Sequence, residues 1–254
     1  MSNQPHTEKL SVAEFSARCR EAMVPLTNKF SYFAAVPVGE EDVKEYVEEP
    51  VAAIPPALAA WLTPVCIALV PYLERANGKD RNGSAPGYVC FEPPQEGRAA
   101  ASEKYISGDL ATILLAVKDQ PVADCHYFFY REVAELAAMS VSEDHFNQFS
   151  TLLREELRAR VHGEVDQQGW RLKELLMRRQ TNLRRETKLF KEYARQAFID
   201  TLTLYLHGIC CDIDIEPGPR QLPSRYLRKR LVLLENFYPP PKGYAVFPEE
   251  VTEP

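Results

Sequence analysis

The chain has 254 residues, 45% of them hydrophobic and 26% charged, and a chain of that length buries roughly 70–75% of its unfolded surface without staples. These values exclude a disordered chain, a collagen-like fibre and a disulfide-dense miniprotein. The net charge of −6 is uneven: residues 1–150 sum to −9, residues 151–254 to +3, and Arg154 to Arg195 to +5.

Residues 1–62 read as helices and loops, with short helices over Ser11–Met23, Glu40–Tyr46 and Ala57–Leu62. The stretch 42–49 sets Val43, Tyr46 and Val47 against acidic neighbours, an amphipathic pattern with an acidic outer face. Residues 63–120 change character. Val65–Leu73 and Tyr88–Phe91 are apolar and partly β-branched, and Asn77-Gly78 and Asn82-Gly83 lie between them. Such dipeptides supply positive φ, so a hairpin with a long tip is expected. Tyr105-Ile106 and Thr112–Val117, around the Ser107-Gly108-Asp109 turn, add two strands. A small antiparallel sheet over roughly residues 65–117 follows.

Residues 123–238 are helical in pattern. Cys125–Met139 has apolar residues at helical spacing, and Ser140 with Glu143 has the form of a capping box opening the next helix. That helix places Phe146, Phe149, Leu153, Leu157 and Val161 on one stripe. From Trp170 to Ile209 only Gly208 could interrupt, so one helix of up to ~40 residues, about 60 Å, fits the sequence. Pro223 suits a first helical position, Ser224–Phe237 forms a last helix, and Pro239-Pro240-Pro241 stops it before an extended tail over 239–254. The expected fold class is α+β and mainly helical. It is one domain, 1–254, with the sheet packed by a C-terminal helical bundle that contains one long helix.

Residues 51–73 carry no charge over 23 positions, long enough to span a bilayer. Pro55, Pro56, Pro64 and Pro71 break the run, and lipid cannot satisfy the groups they leave unpaired. A buried helix followed by a core strand is the better account. The six cysteines (19, 66, 90, 125, 210 and 211) form no C-x-x-C pair, and the start of the chain lacks a basic stretch followed by an apolar run. A cytoplasmic protein with reduced, mostly buried thiols is the expectation.

No phosphate loop, H-E-x-x-H, G-x-S-x-G or kinase signature is present. Four weaker constellations remain. On a helix, Asp200 and His207 fall within about 20° of each other, two turns apart. With His126 of the aromatic run His126–Tyr130 they would supply the three ligands that a divalent metal such as zinc needs in a catalytic site. The plainer account makes the first pair a solvent face or a satisfied buried pair, and His126 a hydrogen-bonded core histidine. His162 and Asp166 are four apart, but Gly163 breaks the helix they would need, so an exposed helix end is expected. Arg178, Arg179, Arg184 and Arg185, within the basic run 171–195, could bind nucleic acid or another anion, extended by Arg220, Arg225, Arg228, Lys229 and Arg230. Glu174, Glu186 and Glu192 interleave that run, the usual mark of a solvated, salt-bridged face.

No catalytic residue is identifiable from these patterns. The leading expectation is an interaction or scaffold module with a protein partner and no membrane. The alternatives are a metal-dependent enzyme, such as a hydrolase, using His126, Asp200 and His207, and an anion binder using the basic helix.

Overall fold

The computed structural model describes residues 9–75, 87–178, 186–211 and 220–247. The chain divides into two compact units, Met1–Ala52 with Leu62–Glu132, and Ala53–Trp61 with Val133–Pro254. The fold is α+β and mainly helical, as expected, with two sheets in the first unit.

The first unit opens with β1 (Leu10–Ser11) and α1 (Val12–Cys19), whose N-cap Ser11 forms a complete capping box with Glu14. β2 (Val24–Pro25) and β3 (Phe30–Ala34) lead to α2 (Glu40–Val43), a π-helical turn (Lys44–Glu48) and α3 (Glu49–Ala52). β4 (Val65–Val70) lies at the centre of a five-stranded mixed sheet. It runs parallel to β3 on one side and to β9 (Leu110–Ala116) on the other; β8 (Ser102–Ser107) and β2 close the edges antiparallel. Every residue of β4 is buried, which explains why its sequence is a continuous apolar run and does not alternate.

The expected hairpin holds only at its inner end. β5 (Tyr72–Glu74) pairs antiparallel with β6 (Tyr88–Cys90), in a four-stranded sheet completed by β1 and β7 (Ala99–Ala100). Val65–Val70 belongs to the other sheet. Pro71 marks the change, since it has no backbone donor with which to continue a ladder. The β8–β9 hairpin forms as read, with Gly108 at φ 64° in its two-residue turn.

Helices cover both faces of the mixed sheet. Val12, Phe15 and Cys19 of α1 pack on Ala68, Val70, Leu114 and Ala116. Ile113 and Leu115 point the other way, the side on which Glu132 of α5 (Val122–Ser140) accepts from Ser102 and Lys104 of β8. The uncharged stretch 51–73 resolves into the end of α3, α4 (Pro56–Trp61), β4 and the start of β5. Among the described residues no helix is long and apolar enough to cross a membrane.

The second unit contains α4, the second half of α5, α6 (Glu143–Arg158), α7 (Gln167–Arg178), α8 (Lys188–Cys210) and α9 (Ser224–Phe237). The cap of α6 is Ser142, whose hydroxyl accepts from the His145 amide at 3.2 Å. The expected box on Ser140 and Glu143 does not form, because α5 continues through Ser140 and its hydroxyl bonds back to the Ala137 carbonyl. The stretch 170–209 is not one helix. Thr187 is extended (φ −83°, ψ 159°) and its hydroxyl caps the Phe190 amide, so α8 starts afresh. α8 is the long helix of the bundle, 23 residues; Lys188, Lys191, Glu192 and Arg195 in its first half are exposed, but from Ala197 onward no residue is, so that half is central to the core.

Candidate functional site

The second unit buries charge in its core. Glu156 on α6, Glu164 in the link after it, Lys173 on α7, Tyr193 on α8 and Arg230 on α9 meet at one point, and every one of them is buried. The Arg230 guanidinium is fully enclosed, 0% exposed. It donates to both oxygens of Glu156 (Nε 2.9 Å, Nη2 2.5 Å) and to both of Glu164 (Nη1 2.7 Å, Nη2 2.8 Å). Only a planar fork of donors can clamp two carboxylates at once. Lys173 Nζ donates to Glu164 Oε1 at 3.0 Å and to the Gly163 carbonyl at 2.8 Å, and the Tyr193 hydroxyl donates to the same Oε1 at 2.5 Å. Two carboxylates face two cations, so the formal charge of the cluster is zero.

Electrostatics follow from that neutrality. Burial alone would push the Glu164 carboxyl up, but Arg230 and then Lys173 and Tyr193 more than reverse it and bring it down to about 2. Burial and the Glu164 charge drive the Tyr193 hydroxyl well above its usual value, so it stays a donor. The backbone around Glu164 is equally constrained. Its amide donates to the Arg220 carbonyl and its carbonyl accepts from the Leu222 amide. Gly163, at φ 82°, brings the chain so close that a Cβ would lie 2.1 Å from the Gln221 carbonyl oxygen. A substrate could reach none of these saturated groups. The cluster joins α6, the link, α7, α8 and α9, and its role is to set their geometry.

What that geometry presents outward is a groove of about 790 Å³ between α6 and α9. The two helices run antiparallel. His145 at the start of α6 stacks on Phe237 at the end of α9, centroids 4.1 Å apart, while Glu156 near the end of α6 holds Arg230. Each helix uses two adjacent stripes. Phe149, Leu153, Glu156 and Leu157 on α6, and Leu227, Arg230, Leu231 and Leu234 on α9, face inward. Gln148, Thr151, Leu152 and Glu155 line the groove from one side, and from the other comes the α9 stripe 225, 228, 229, 232, 233 and 236. Leu152, Val232 and Leu233 make an apolar floor, with Val232 40% exposed. Arg225, Arg228 and Lys229 stand at the Glu155 end; Gln148 and Asn236 are the neutral polar groups at the other.

The sequence-predicted residues sit elsewhere. His126 is in the first unit, where its Nε2 donates to the Glu45 carbonyl at 2.7 Å. The π-helical turn explains that acceptor. The Glu49 amide bonds to the Lys44 carbonyl, so the next donor due to Glu45 would be Pro50, which has no N–H. Asp200 and His207 lie on α8 in the second unit. Asp200 is 6% exposed, so its side of the helix is not a solvent face. Its Oδ1 accepts from Gln196 on the same helix at 2.7 Å. The hydroxyls of Thr201 and Thr203 bond back to α8 carbonyls. His162 is exposed beyond the end of α6, as expected, but Glu164 beside it is among the most buried groups of the unit. Arg178 is exposed at the end of α7; Arg179, Arg184 and Arg185 lie outside the described residues. Of the basic residues expected to extend that surface, Arg230 is internal and Arg220 stacks on Trp170 with its guanidinium carbon 4.6 Å from the ring centre. Burial pushes the Cys19 thiol up to about 12 and those of Cys66, Cys90 and Cys125 up to about 11, the opposite of an activated nucleophile.

Sequence reasoning missed the buried cluster: it placed Arg230 on a basic surface and assigned no role to the other four members. A signal for three of the five was present: Glu156, Lys173 and Arg230 each occupy a slot in an apolar helical stripe, Arg230 between Leu227, Leu231 and Leu234. Comparison of the chain with family models, with curated proteins and with solved structures returned no match.

Proposed function

We propose that this chain is a protein-interaction module and that the α6–α9 groove is its binding face. The observation that carries the reading is the pairing of stripes. Two antiparallel helices are locked together from behind by an ion cluster, and each offers a second stripe, partly apolar, to the outside. Helical bundles bury such adjacent stripes against a further helix. An exposed apolar floor rimmed by polar groups is a common mark of a contact surface. The charged cluster beneath supports the same reading, because it holds the groove open in one shape without offering reactive groups to a substrate.

The test is a photo-crosslinking amino acid placed at Val232 in the cell, with Ile106, an exposed apolar residue of the first unit, as control. The expected result is an adduct with one defined segment of another protein at Val232, lost when Leu233 is replaced by Glu. Identical adducts from Val232 and Ile106, or adducts that survive Leu233→Glu, would overturn the reading.

A further inference from the structure

The charge on the groove identifies its occupant more closely: we infer that the α6–α9 groove takes an acidic amphipathic helix from a partner protein. This rests on the binding-face reading above.

Shape argues for a helix. The lining spans Gln148 to Glu155 on α6 and Arg225 to Asn236 on α9, about 17 Å along α9 at 1.5 Å per residue. Three turns of helix fill that length. The apolar residues lie along the middle, where a partner would place residues at i, i+3, i+4 and i+7. Among the described lining residues none is aromatic, and the Tyr226 and Phe247 rings beside the basic end are covered by its cations, whereas surfaces for single-stranded nucleic acid leave rings open as stacking platforms.

Charge argues for acid. Among the described residues, Arg225, Arg228 and Lys229 line one end of the groove together with one carboxylate, Glu155. They lie in the first two turns of α9, where the helix dipole is positive and cations are disfavoured, and the first turn holds no acidic residue to offset them. Neighbouring rings hold these cations in place: the Arg225 guanidinium lies 4.7 Å and Lys229 Nζ 5.7 Å from the centre of the Tyr226 ring, and Arg228 lies 4.2 Å over Phe247. α9 therefore concentrates positive potential at one end of an apolar channel, and the complement is a helix with Asp or Glu at the matching end. At the other end the lining residues Gln148 and Asn236 carry no charge and Gln148 donates to the Asp144 carboxylate at 2.9 Å, so that end makes no such demand.

The experiment uses the full chain and two labelled synthetic helical peptides with the same Leu positions at i, i+3, i+4 and i+7. One carries Glu at its solvent-side and end positions, the other Lys. Fluorescence anisotropy is read at low and at physiological salt, with a labelled oligouridine in parallel. The Glu peptide is expected to bind at least tenfold tighter than the Lys peptide, with the margin shrinking as salt rises. Arg225→Glu with Lys229→Glu should remove or invert that margin. Lys229→Glu alone, at an exposed position, should reduce it while leaving the melting temperature unchanged. Equal binding of both peptides would overturn the acidic-helix inference and leave the binding-face reading intact. Binding of oligouridine alone would overturn both and identify the basic end as a nucleic-acid contact. No binding of any probe would overturn both as well.

Discussion

Each unit sets a buried carboxylate between two cations, at very different depths. In the first, Glu74 of β5 pairs with Lys9 and, at 2.7 Å, with Arg98, whose side chains are 50% and 26% exposed. Solvent reaches both of those cations. In the second, neither cation has such access: Arg230 and Lys173 are enclosed together with both of their carboxylates. A surface-backed pair contributes little on its own, whereas losing one member of an enclosed pair strands a charge. The first unit is therefore held by its sheet, with a continuous apolar strand packed on both faces. The second is held by a charged clamp whose loss should loosen every helix it touches.

The largest effect expected from this contrast is at Arg230. Arg230→Met leaves Glu156 and Glu164 facing each other without their shared cation and should cost about 3–5 kcal/mol. Both tryptophans, Trp61 and Trp170, lie in the second unit, so tryptophan fluorescence during denaturant unfolding follows that unit alone. A variant with parental fluorescence midpoints would show that the clamp is dispensable.

Acid should act on the same point. Glu164 is held at about 2 against an ordinary 4.5. Its contribution is complete above about pH 4.5 and is lost as the pH falls from there toward 2. The linked loss is on the order of 3 kcal/mol. Stability by tryptophan fluorescence should therefore fall through that window, and Glu164→Gln should flatten the fall. An unchanged slope in the variant would place the acid sensitivity elsewhere.

Tyr193→Phe removes one donor to a carboxylate that keeps Arg230 and Lys173, and should cost about 1.5–3 kcal/mol by the same measurement. Arg98→Ala in the first unit should cost about 0.2–1 kcal/mol, read by circular dichroism of the sheet. If it matched Arg230→Met, the distinction between the two networks would fail.

Much of the fold was legible because periodicity and end signals agreed. The last helix spans Ser224–Phe237 as the pattern implied, and the β8–β9 hairpin follows from Ser107-Gly108-Asp109. Pairing was harder. Val65–Val70 is buried on both faces, the signature of a parallel central strand, yet the nearby Asn-Gly dipeptides suggested a hairpin that only β5 and β6 make. The 170–209 stretch has no Pro or Gly before Gly208, and Thr187, in extended conformation, still divides it. The groove was legible only in part. Arg225, Arg228 and Lys229 stood out as a basic cluster, but Arg230 was grouped with them although it is one helical step round, on the buried stripe. Which side a charged residue faces depends on the partners tertiary structure brings to it, and Glu156 and Glu164 come from 74 and 66 residues away.

The central claim is that α6 and α9 form a binding face, and amide hydrogen exchange tests it most directly. Exchange is measured on the full chain with and without the Glu-rich helical peptide. The account predicts added protection concentrated in residues 148–155 and 225–236, with the first unit's sheet unchanged. Protection centred on the β strands of the first unit, or spread evenly over the chain, would contradict it.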